Sequence, residues 1–154
     1  MAQVPASVTV AAGATSVTFS VTTSAVANNS SVVISGTYGV TKSATLNVNA
    51  AVLSSLSLNP ATLVGGNTST GTVTLNGAAP SGGAVIGLQS SNTSVAQVPA
   101  GGTVTIAAGS TSATFTINTT PVATNTPVVI SGVYGSVTKT ATLNVNAAVL
   151  SSLN

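Results

Sequence analysis

Ala113-Thr114-Phe115-Thr116-Ile117-Asn118 and its earlier copy, Val17-Thr18-Phe19-Ser20-Val21-Thr22, decide the fold. Apolar and polar residues alternate in both, which is the period-2 pattern of a strand with one face buried. Where the copies differ on the Ala113/Phe115/Ile117 face, the replacement stays apolar. Where they differ on the other face, it stays polar. The comparison predicts that Phe19 and Phe115 both point into a core.

The same test extends outward from this strand. Val128, Ile130, Gly132 and Tyr134 form an inward set, and position 133, Val here and Thr37 in the earlier copy, belongs to the outward face. Ala141, Leu143 and Val145 share a face opposite Thr140, Thr142 and Asn144. Thr72-Val73-Thr74-Leu75 and the stretch from Ala84 to Leu88 supply further strands. Turn residues separate them: Asn59-Pro60, Gly65-Gly66, Asn76-Gly77, Pro80-Ser81-Gly82-Gly83, Ala107-Ala108-Gly109 and Pro121. No helical period occurs. The reading is all-β, an antiparallel sandwich of seven or eight short strands per unit, with a light core of Val, Leu, Ile and Ala.

The chain repeats itself. Ala51-Val52-Leu53-Ser54-Ser55-Leu56 returns as Ala148-Val149-Leu150-Ser151-Ser152-Leu153, and Ala2-Gln3-Val4-Pro5-Ala6 returns from Ala96 to Ala100. The period is about 97 residues, the size of one immunoglobulin-like sandwich. Residues 53–149 make one complete unit. Residues 1–52 make the C-terminal half of another, and 150–154 begin a third. Met1 is followed by neither a basic segment nor an apolar one, so it does not open a signal peptide. It reads as an arbitrary start inside a longer array. The alternative is a real start whose half-unit is completed by a neighbouring molecule.

Composition narrows the function. Only 1% of the 154 residues are charged: Lys42 and Lys139, with no Asp, Glu, Arg, His or Cys. General acid–base catalysis, zinc or calcium ligation and paired-carboxylate hydrolysis all need residues absent here. The expectation is no catalytic, cofactor-binding or metal site, and no enzyme. Two lysines cannot supply the phosphate contacts of a nucleic-acid binder. No apolar run is long enough for a transmembrane helix.

Leu56-Ser57-Leu58-Asn59-Pro60 and the run from Gly65 to Leu75 resemble the opening of a prokaryotic (bacterial) tandem Ig-like repeat. Ser90-Ser91-Asn92-Thr93-Ser94-Val95-Ala96, the run from Ala107 to Phe115, and Tyr134-Gly135 followed by Thr138 to Leu143 resemble its later part. That resemblance covers the chain. It implies an Ig-like sandwich in long extracellular or cell-surface proteins, serving as stalk, spacer, filament or adhesin. The lack of acidic residues removes calcium binding from what it implies.

Candidate side chains are few. Lys42 and Lys139 share one repeat position. An isopeptide crosslink there would lack its usual carboxylic acid, so a lysine stem packed on the sandwich rim is the expectation. A Ser–Lys nucleophile pair would need a buried lysine beside an oriented serine. Asn28, Asn29, Asn67, Asn92 and Asn118 each open an Asn-x-Ser/Thr sequon, making glycans candidate attachments. Tyr38 and Tyr134 are expected in the core or at a corner.

The run Leu143-Asn144-Val145-Asn146-Ala147-Ala148-Val149-Leu150 joins one unit to the next with no flexible linker. With this join and an uncharged surface, the expected function is a structural module of a secreted filament, stalk or sheath at the cell surface. Its partners would be copies of itself or adjacent repeats, assembled by strand or half-domain complementation. The alternative is an adhesin or spacer domain that binds glycan or protein.

Overall fold

The computed structural model describes residues 2–150 and is all-β, with no helix among them. Residues beyond Leu53 build two packed sheets around one core. The strands are β5 (Leu53–Asn59), β6 (Thr62–Val64), β7 (Thr68–Leu75), β8 (Ala84–Ser90), β9 (Ala96–Gln97), β10 (Thr103–Ile106), β11 (Ser112–Thr119), β12 (Thr126–Tyr134) and β13 (Val137–Asn146). One sheet runs β10-β8-β12-β13-β6 and the other β5-β7-β11-β9. Every pairing is antiparallel except β13 with β6. Nine strands stand where the sequence predicts seven or eight, because β6 and β9 are too short to show a period.

Alternation decides which residues fill the space between the sheets. Val73 and Leu75 of β7, Phe115 and Ile117 of β11, Ile86 and Leu88 of β8, Val128 and Ile130 of β12, and Leu143 and Val145 of β13 are all buried. With almost no large aromatic residues, backbone spacing closes the gaps. Phe115 lies directly opposite Gly71 on β7, and its ring covers the space a Cβ would occupy there. Gly132 does the same for Leu56: a Cβ on Gly132 would stand 3.0 Å from the Leu56 Cδ1. Buried polar groups are paired. Ser69 donates to the Pro60 carbonyl at 2.8 Å, and Thr119 donates to the Asn67 carbonyl at 2.6 Å.

The earlier copy is built differently. Residues 2–48 hold β1 (Ala2–Gln3), β2 (Thr22–Thr23), β3 (Ser30–Tyr38) and β4 (Val40–Val48), in two separate pairs, β1-β2 and β3-β4. Their registers repeat those of the later strands. Val32 faces Leu46 as Val128 faces Leu143, and Gln3 faces Thr22 as Gln97 faces Asn118. Phe19 is nevertheless 46% exposed where Phe115 is 6%, and Tyr38 is 98% exposed where Tyr134 is half-buried against the core. The expectation that Phe19 and Tyr38 are inside is therefore wrong. Alternation selects the face that can pack, but residues 2–48 have no counterparts of β5, β6, β7 and β8 to pack against.

Candidate functional site

No side-chain constellation for chemistry forms. Lys139 on β13 is half-buried and lies opposite Gly132. Lys42 on β4 is exposed and lies opposite Gly36. With no carboxylic acid in the sequence, neither has the partner that an isopeptide bond requires. Among the sequons, Asn28, Asn29, Asn67 and Asn118 are exposed and Asn92 is half-buried. Asn67 is engaged, its Nδ2 donating to the Val64 carbonyl at 2.9 Å. Asn92 closes a turn by accepting from the backbone N–H and hydroxyl of Ser94 at 3.2 and 2.7 Å. Among the described residues, no helix is long and apolar enough to cross a membrane.

Two features stand out instead. The first is an open apolar groove of about 350 Å³ between the layers of the earlier copy. Val4, Val8 and Phe19 line one side, and Ile34, Gly36 and Ala44 line the other. A wider depression beside it involves Val10, Tyr38 and Val40. In the later copy the corresponding space is filled by Leu53, Leu56, Val73, Ile86 and Leu88. Gly36 shows the difference at one atom. A Cβ on Gly36 would meet nothing within 4 Å, whereas one on Gly132 would meet Leu56, Ile86 and Leu53. The groove is therefore half of a sandwich interior, already in register and open to solvent.

The second feature is the join. Residues 49–52 link β4 to β5, and asparagines grip them from both sides. The Ala50 N–H donates to Asn29 Oδ1 at 2.8 Å, and the Val52 N–H donates to Asn76 Oδ1 at 2.8 Å. The Asn76 N–H returns a bond to the Val52 carbonyl at 3.0 Å. Ala51, between the two gripped residues, packs against the core. The first grip recurs after β13, where the Ala147 N–H donates to Asn125 Oδ1 at 2.9 Å. Sequence reasoning expects a short, stiff join from the absence of linker residues. It does not identify these asparagines, because a side chain reaching a linker amide leaves no periodic trace.

No protein-family model matches the chain, and no curated protein matches it.

Proposed function

We propose that this chain is a structural module of an extracellular filament, stalk or sheath at the cell surface, built from tandem immunoglobulin-like repeats of about 97 residues. The grip on the join carries this reading. A four-residue connection whose amides are held by Asn29 on one side and Asn76 on the other transmits orientation from unit to unit. A flexible spacer has no use for it, since unheld residues would serve as well. Recurrence of the grip at Asn125 and Ala147 supports a device repeated along an array.

The surface supports the same reading. Soluble monomers usually carry many charges, which keep them apart. This chain carries two lysines and no acids, so little electrostatic repulsion opposes lateral or end-to-end packing. The sequence resemblance to prokaryotic Ig-like arrays points the same way. No loop gathers the aromatic and charged groups that anchor most binding surfaces, so an adhesive role has no comparable support.

Electron microscopy of the native material, after size-exclusion chromatography at low and high salt, tests the proposal. The expected result is stiff rods or filaments with an axial repeat of one sandwich, unchanged by chelator. Freely jointed beads, or a protein confined to the cytoplasm, would overturn it.

A further inference from the structure

The groove of the earlier copy has a shape that can be matched to an occupant, because the same molecule shows the completed version. We propose that it is a docking surface for the N-terminal half of a repeat, a segment of the 53–95 type, supplied by another polypeptide chain. This rests on the array reading above and names the partner that such an array would recruit at this point.

Three observations select the occupant. The interface between residues 53–95 and 96–146 is present in this structure, and residues 2–48 repeat the second member of it with the same strand registers. The exposed residues are the ones that 53–95 covers. Phe19 stands where Phe115 covers Gly71, and Gly36 stands where Gly132 receives Leu56 and Ile86. A glycine in the middle of a strand weakens it and commonly marks a close approach by something else. At Gly36 nothing approaches, so its counterpart contact explains the residue. Charge also permits the match, since residues 53–95 carry none and the groove carries only Lys42.

The source follows from the balance of segments. Each chain holds two segments of the 96–149 type and one of the 53–95 type. Exchange of 53–95 between two copies fills one groove and opens another, so a second copy leaves the number of open grooves unchanged. The β1-β2 and β3-β4 pairs hold the completed registers while the groove is open. A separately supplied segment therefore meets a formed seat, and β-strand addition provides the backbone hydrogen bonds.

The test titrates the whole chain with a synthetic segment of residues 53–95. Amide hydrogen exchange is followed separately in residues 2–50 and 96–149. The expected result is one segment bound per chain, with new protection at residues 8–10, 17–21 and along β3. Gly36→Leu in the chain, or Gly71→Val in the segment, is expected to weaken binding about tenfold or more through overpacking. The melting of residues 53–149 monitors that Gly36→Leu leaves the rest folded. If the free segment aggregates, the same sequence tethered behind Asn154 by a flexible Gly/Ser linker replaces it.

Equal binding by both glycine variants would overturn the proposal, as would no protection of residues 2–50 by either form of the segment. Protection only when the segment is fused directly ahead of Ala2 would also overturn it, leaving covalent completion within one array. Concentration-dependent burial of residues 2–50 in the chain alone would assign the groove to a second copy instead. The array reading fails independently, by the microscopy above, and a segment that does not bind leaves stiff rods unaffected.

Discussion

At the scale of single residues, the duplicated strands provide an internal control. Phe115 and Phe19 occupy matching positions, but only Phe115 is packed, against Gly71. Phe115→Ala is expected to cost about 3–5 kcal/mol in denaturant unfolding, while Phe19→Ala stays within about 0.5 kcal/mol. Gly71→Val forces a side chain into the space of the Phe115 ring and is expected to cost about 1–3 kcal/mol. Ser69 offers a polar counterpart. Its hydroxyl is buried and satisfies the Pro60 carbonyl, so Ser69→Ala is expected to cost about 1–3 kcal/mol through the acceptor left unpaired. Equal losses at Phe19 and Phe115 would mean that the earlier copy is packed in solution, against the geometry described above.

At the scale of strands and joins, hydrogen exchange should separate the two copies. β11 lies between β7 and β9, and β12 between β8 and β13, so their amides are expected to exchange slowly. Residues 17–21 form no strand, and β3 has β4 on one side only, so exchange there is expected to be fast. The join gives a second expectation. Asn29→Ala with Asn76→Ala should broaden the angle between the two copies in small-angle scattering. Stability should fall by only about 1 kcal/mol for each exposed hydrogen bond removed. An unchanged scattering profile would show that packing of Ala51, rather than the asparagines, fixes the join. Elements of this size also mark what the sequence makes legible. The inward faces of β11, β12 and β13 can be read from alternation, because two copies show which substitutions each face tolerates. The exposure of Phe19, Ile34 and Tyr38 cannot, since a period names a face and says nothing of whether a partner strand exists. β6 is illegible for another reason: three residues pairing in parallel with the distant β13 carry no local pattern. The groove follows once the repeat is aligned and its halves are counted. The asparagine grips need the structure.

At the scale of the whole molecule, the absence of acidic and imidazole side chains makes stability itself diagnostic. The slope of unfolding free energy with pH equals the difference in protons bound by the unfolded and folded states. Between about pH 4.5 and 6.5 the side chains that ordinarily titrate are Asp, Glu and His, and this sequence has none. Both states bind the same number of protons there, the slope is zero, and the melting temperature is expected to stay flat. Chelators should change nothing either, because no carboxylate or imidazole is present to hold a metal. Salt screening has only two lysines to act on, so its effect should be small at moderate concentrations of sodium chloride. These expectations apply to the isolated chain and give a baseline for the native assembly. Were native material to melt earlier as pH falls through this window, protons would be binding more tightly to the unfolded state. The carboxylates or histidines responsible would then belong to another polypeptide packed against this one. A flat profile in both preparations would instead mean that whatever covers the groove is as free of titrating groups as residues 53–95 are.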